Sequence, residues 1–296
     1  MTGTSTDGTG SGVSSVQLSF NGGDWQTVVP RSTGDWSSWK SPNNFTLGLG
    51  SYTFSARATD NSANTGYSFV VSIKVVQQPS RLINVVVISS DSATRAVINN
   101  HLTTADIVSS FSLATLGLFP GQKHMLEANS IPVIQQGIIN AKSSTTRLDY
   151  IGYDNELSNG AGSTPPSELV NPAASTNQAM SIIKAAGYSS AISPTRRILL
   201  QEYAGVDFTK VNNLDIQLEK VVDNSLFQSV PNTVIPVATA ENPKVLVTVQ
   251  VSPSLFSNID IVNNVNTISK EINGVTIMWN GTDPTVLDGL ITQLGR

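Results

Sequence analysis

Arg147-Leu148-Asp149-Tyr150-Ile151-Gly152-Tyr153-Asp154-Asn155-Glu156 reads as a buried strand that ends in two carboxylates. Side chains alternate along a strand, so Gly152, Asp154 and Glu156 share one face. In a barrel of parallel strands that face points inward and, near the strand's C-terminal end, into the mouth where such barrels keep their chemistry. Acids two residues apart feel each other's charge, which pushes their pKa values apart and suits one of them to proton donation. The competing reading is a strand that runs into a solvated Asp-Asn-Glu turn.

Around this strand, apolar strands and amphipathic helices alternate from residue 82 to the end, the pattern of an α/β fold with parallel strands. Strands are expected at Ile83–Ser89, Asp106–Phe111, Ile131–Gln135, Leu148–Asp154, Ser189–Ser193, Leu214–Leu218, Val245–Val251 and Val275–Trp279. Helices are expected after Asp91, a plausible N-cap, over Pro120–Ala128, up to Ala186, from Ile198, and after Asp283-Pro284. Eight strands in this length imply a compact (β/α)8 TIM barrel; an open doubly wound sheet is the alternative. Ile88-Ser89-Ser90-Asp91-Ser92 lacks the glycines of a phosphate loop, so no nucleotide cofactor is expected.

Upstream, residues 13–76 read as short alternating strands separated by turn signals such as Asn21-Gly22-Gly23-Asp24 and Asp60-Asn61-Ser62, which points to a β-sandwich. The Val13-Ser14-Ser15-Val16-Gln17-Leu18-Ser19-Phe20-Asn21-Gly22-Gly23-Asp24-Trp25 run and Ala56-Arg57-Ala58-Thr59-Asp60-Asn61 resemble bacterial and archaeal Ig-like modules. Trp25 is expected in the core of this module, with Trp36 and Trp39 covering loops. Residues 1–12, rich in Thr, Gly and Ser, read as a flexible linker cut from a longer chain, and residues 77–81 as the linker between modules.

Composition narrows the functions. With 39% hydrophobic and 13% charged residues in 296, the chain can bury a large core. A net charge of −4 without a basic patch argues against nucleic acid as a partner, and no apolar run is long enough for membrane insertion. The absence of cysteine excludes disulfides and thiolate chemistry. His101 and His124 both fall in polar, helix-like contexts and are expected at the surface; no metal site is indicated. Abundant Ser, Thr, Asn and Gly, with sequons at Asn44-Phe45-Thr46 and Asn280-Gly281-Thr282, suggest an extracellular or cell-surface protein.

The barrel region resembles glycoside hydrolase family 18, the chitinases and their relatives, whose fourth strand ends in Asp-x-x-Asp-x-Asp-x-Glu. Asp149, Asp154 and Glu156 match that pattern, and Gly152 stands at its middle Asp. Ala191-Ile192-Ser193-Pro194, Leu214-Asp215-Ile216-Gln217-Leu218 and Val275-Thr276-Ile277-Met278-Trp279 are similar to the fifth, sixth and eighth strands. The resemblance implies Glu156 as general acid and Asp154 as the group that orients the substrate's own N-acetyl nucleophile, a substrate-assisted retaining mechanism. It also implies Gln217 on the acetamido group, Trp279 as an aromatic floor and Asp149 among the substrate-binding set. Gly152 removes an acid that would share a proton with its neighbour; Glu219 could supply a replacement if it reaches the mouth, but the favoured reading is that it opens the following helix as a first-turn acid. Gln135 and Gln136, at the end of the expected third strand, offer an amide suited to sugar hydroxyls. Poly- or oligosaccharide is thus the expected partner. The alternative is a non-catalytic, lectin-like or structural cell-surface protein on a degenerate barrel.

Overall fold

The computed structural model describes residues 1–42, 50–75, 81–88, 91–156, 164–221, 224–281 and 283–296. The sequon at Asn44, the strand expected there, most of linker 77–81, Thr282 of the second sequon, and 158–163 of the loop after Glu156 lie outside them. The chain forms two compact units, 1–79 and 80–296.

Among the described residues the first unit holds eight strands: β1 (Thr2–Thr4), β2 (Val13–Phe20), β3 (Gln26–Thr27), β4 (Val29–Ser32), β5 (Asp35–Lys40), β6 (Gly50–Asp60), β7 (Thr65–Tyr67) and β8 (Val71–Val75). They make two antiparallel sheets, one ordered β1-β5-β4 and one β3-β2-β6-β7 with β8 also on β6. The Asn21-Gly22 turn forms as expected. Both residues have positive φ, 50° and 68°, and the Gly23 N–H donates to the Phe20 carbonyl at 2.9 Å. Two expectations fail. Residues 2–4 are a strand paired with β5, where a linker was expected. Trp39, with Val16, Leu18, Val28 and Phe54, is core, whereas Trp25 sits partly exposed under the Arg57 guanidinium, 4.6 Å from its ring, and against Tyr67.

The second unit is a closed barrel of eight parallel strands in sequence order: β9 (Leu82–Val87), β10 (Ile107–Ser110), β11 (Lys123–Ala128), β12 (Tyr150–Tyr153), β13 (Ser189–Ile192), β14 (Asn213–Gln217), β15 (Leu246–Val251) and β16 (Gly274–Trp279). The open-sheet alternative is excluded, because β16 pairs with β9 from Gly274↔Leu82 to Trp279↔Val87. The surrounding helices are α1 (Ser92–His101), α2 (Leu113–Leu116), α3 (Ile131–Ser143), α4 (Pro166–Leu169), α5 (Pro172–Ala185), α6 (Arg196–Gln201), α7 (Asn224–Glu241), α8 (Asn258–Thr267) and α9 (Pro284–Gln293). Asp91 and Asp283 cap α1 and α9 as expected, accepting from the N–H groups of Thr94 and Thr285.

The third strand is displaced from its expected place. Ile131–Gln135 opens α3 instead, with Ser130 as N-cap and Pro132 in its first turn, while the strand is Lys123–Ala128. Burial explains the inversion. In β11, Met125 and Glu127 face the barrel interior and Leu126 the helices, so burial on both faces overrides the helix propensity of Met-Leu-Glu-Ala.

Candidate active site

Strand alternation splits the barrel into two environments. Outward-facing Val85, Val87, Ile151, Tyr153, Ile216, Val249, Ile277 and Trp279 join the helices in one apolar core. Towards the N-terminal side the interior carries an apolar layer of Ile107, Met125, Tyr150 and Ala191. Beyond that layer the inward side chains turn polar: Asn84, Ser109, Glu127, Asp215, Thr248 and Thr276 are all buried.

These polar groups form a belt. Thr248 Oγ1 donates to Asp215 Oδ1 at 2.7 Å, and Thr276 Oγ1 donates to Thr248 at 3.1 Å. Asn84 Nδ2 reaches Thr276 at 3.5 Å, and Ser109 Oγ lies 2.7 Å from Asn84 Oδ1 and is also within hydrogen-bond reach of Glu127. The belt thus runs from a carboxyl on β14 round to a carboxyl on β11. Burial, aided by the charge of Asp215, pushes Glu127 up to about 8. Burial likewise pushes Asp215 up to about 7, against the opposing effect of its bonds from Thr248 and Thr276.

Glu127 occupies the space left by Gly152. A Cβ on Gly152 would stand 2.2 Å from Glu127 Oε2, so the neighbouring strand delivers a carboxyl to the place where β12 itself has none. That Oε2 atom is buried without a hydrogen-bond partner. Above it, Asp154 follows the last residue of β12, and burial raises its pKa well above the usual carboxylate range. The charges of Glu156, Glu127, Asp215 and Glu219 add to that rise. Gln217 holds Asp154 in place: its Nε2 donates to Asp154 Oδ1 at 3.0 Å and to the Ser193 carbonyl at 2.8 Å. Burial also raises Glu219, with Glu156 adding to the effect and Lys220 and Arg196 opposing it. Five carboxyls from β11, β12 and β14, or from just beyond them, therefore share one field that runs from the buried belt towards the C-terminal mouth. A neutral carboxyl beside an ionised one can donate a proton to an oxygen bound between them.

Of the residues singled out by sequence, Asp154, Glu156 and Gln217 come together here. Four others do not. Asp149 precedes β12, at the opposite end of the strand, where it accepts from the His124 backbone N–H at 3.0 Å and the Arg147 guanidinium. Gln136 is exposed on α3, its amide bonded to Asn140 one helical turn on at 2.9 Å, and Gln135 is exposed beside it. Both follow from the displaced third strand. Trp279 shares the outward parity of Val87; it is 2% exposed, with its indole N–H on Thr94 Oγ1 of α1 at 3.2 Å, so it cannot be the floor of a sugar site.

The histidines also lie away from the mouth. His124 is buried on β11 with its ring nitrogens 2.6 and 2.8 Å from the Arg147 and Phe119 carbonyl oxygens, not at the surface as expected, and His101 pairs with Asp288. Among the described residues no group of three or more His, Asp or Glu side chains is arranged to hold a metal ion.

Sequence reasoning missed Glu127, hidden inside a segment read as a helix, and Phe111. Phe111 follows β10 directly and is half exposed on the mouth side, as are Ile88 after β9 and Leu255 after β15. An apolar residue just past a strand's C-terminal end was the available signal. Beside Gln217 opens a cleft of about 370 Å³ lined by Thr195, Arg196, Arg197, Gln217, Glu219 and Lys220.

No protein-family model and no curated protein sequence matches the chain. Solved structures similar to it include a GH2 beta-galacturonidase from Eisenbergiella tayi (7% identity, TM-score 0.43, 90% of this chain and 59% of that one). A family 18 chitinase from Crocus vernus (12%, TM-score 0.43, 73% and 96%) and the YdjI aldolase from Escherichia coli (12%, TM-score 0.43, 67% and 75%) are also similar. The chain thus spans little more than half of the galacturonidase's length. None of these likenesses selects a chemistry for this chain.

Proposed function

We propose that the barrel is a glycan-active site, a glycoside hydrolase that acts on N-acetylated polysaccharide by a substrate-assisted retaining route. The observation that carries this reading is the field shared by Glu127, Asp154, Glu156, Asp215 and Glu219, which runs from the buried belt towards a mouth that Gln217 orients. Glu156 protonates the glycosidic oxygen. Asp154, held towards its neutral form by its surroundings and fixed by Gln217, orients the acetamido group that attacks the anomeric carbon. Glu127 takes the part of the acid that Gly152 lacks, keeping a proton in the cluster so that the carboxyls need not all ionise together. Phe111 offers the mouth an exposed ring on which a sugar face can stack, the role that Trp279 cannot fill. The first unit, read as an Ig-like spacer, would present the barrel at a cell surface or outside the cell.

A lectin-like barrel is the second reading, and Gly152 in place of the middle Asp of the acid pattern is what favours it. Hydrolysis of labelled N-acetylglucosamine and β-glycan oligomers by the wild type and Glu156→Gln separates the two. The enzyme reading expects turnover that drops at least about a hundredfold in the variant, the usual scale for loss of a general acid. Turnover equal in both proteins would move the acid elsewhere. Binding without turnover in either would leave the lectin.

A further inference from the structure

The cleft beside Gln217 carries charge that the reaction above does not use. Gln217, whose amide is bonded to Asp154, and Glu219 both line it, so the cleft adjoins the carboxyl cluster. Three of the chain's 17 basic side chains, Arg196, Arg197 and Lys220, line it in a protein of net charge −4. Their own partners hold them loosely. Arg197 lies 3.5 Å from Glu202 and Lys220 3.8 Å from Glu219, and both cations are largely solvent-exposed. Among the described residues Arg196 has no ion pair within 4 Å. Exposed pairs of this kind contribute little and are readily exchanged for a better-placed anion. The same cleft contains two buried polar atoms without hydrogen-bond partners, the Thr195 hydroxyl oxygen and Glu219 Oε2.

A neutral sugar would offer the exposed Arg196 and Arg197 guanidiniums no better-placed anion than the loosely held Glu202 and Glu219. A carboxylate or a sulfate ester matches the fork of a guanidinium and leaves acceptor capacity for the Thr195 hydroxyl. We propose that the cleft is a subsite for an anionic substituent, a carboxylate or sulfate ester, on the sugar next to the one bound at Asp154 and Glu156. The proposal rests on the glycan reading and adds the substrate class: an acidic polysaccharide.

Calorimetric titration tests it on Glu156→Gln protein, which blocks turnover. Three tetrasaccharides serve as probes: neutral N-acetylglucosamine, alternating N-acetylglucosamine and glucuronic acid, and N-acetylglucosamine bearing 6-O-sulfate. At least one anionic probe should bind about tenfold or more tightly than the neutral one, as charge-assisted hydrogen bonds require. The preference should shrink at about 0.5 M salt, where exposed charges are screened. It should also collapse towards unity when Arg196→Gln and Arg197→Gln are combined, with an unchanged melting temperature because both side chains are exposed. The carboxylate and sulfate arms identify which anion is read. Equal binding of neutral and anionic probes, or a preference that survives the double substitution, would overturn the subsite while leaving a glycan site standing. Binding of none of the three would overturn the glycan reading itself.

Discussion

Gly152 and Glu127 form one unit across two strands. The carboxyl of Glu127 lies where a side chain at 152 would begin, at 2.2 Å from an added Cβ. Gly152→Ala must therefore push the buried carboxyl aside, and its cost should be about 1–3 kcal/mol in urea unfolding, the usual range for overpacking. Removing the carboxyl by Glu127→Ala should make room, so the glycine substitution should cost much less in that background. Simple additivity of the two changes, to within about 0.5 kcal/mol, would show that they do not share the space. This scale also marks where sequence reasoning stops. Asp154, Glu156 and Gln217 were legible because alternation near a strand end is local information. Glu127 was not, since which neighbouring strand fills a glycine's space is a tertiary fact. Trp279 was misread although a clue was present: Thr276 and Met278 occupy the inward positions of β16, which turns Trp279 outward.

Among the elements, α4 shows how a short helix can organise longer ones. Its Glu168 is buried and accepts the Ile131 N–H at the start of α3 with both carboxylate oxygens, at 3.1 and 3.2 Å. The Tyr153 hydroxyl of β12 donates to the same carboxylate at 2.7 Å. One acid thus ties the N-terminus of α3, where the helix dipole favours negative charge, to the strand that leads into Asp154. Glu168→Ala leaves a buried hydroxyl and a buried N–H unpaired and should cost about 2–4 kcal/mol. The matching local signature is faster hydrogen exchange at the first amides of α3; protection equal to wild type would remove Glu168 from this role. The same region is where the element reading inverted a strand and a helix. Ser130 followed by Pro132, with Ile131, Ile134, Ile138 and Ala141 at helical spacing, marks a helix start in the sequence itself. The apolar Ile-Pro-Val-Ile run masked it, as short apolar runs do when periodicity cannot separate strand from buried helix.

For the barrel as a whole, the belt from Asp215 to Glu127 makes stability depend on pH in an unusual direction. In an unfolded chain both carboxyls release their protons near their ordinary values, 3.8 and 4.5, whereas the folded barrel holds them to about 7 and about 8. Between those limits the folded state binds more protons than the unfolded one, so stability falls as pH rises. Their contribution is complete below about pH 4 and is lost progressively up to about pH 8, on the order of a few kcal/mol for buried groups shifted this far. The exposed acids with lowered values, Asp91, Asp207 and Asp283 among them, act in the opposite sense but lose their contribution only as pH falls below the ordinary aspartate value of 3.8. The two effects therefore occupy separate windows. Urea unfolding followed across pH 5 to 9 should show the midpoint descending, and Glu127→Gln with Asp215→Asn, which keep the shape and remove the ionisation, should flatten the descent. A midpoint that rises through this range in the wild type, or a slope untouched by the paired substitutions, would mean that the belt carries ionised rather than protonated carboxyls. A mouth built on a protonated belt would then have to be abandoned along with it.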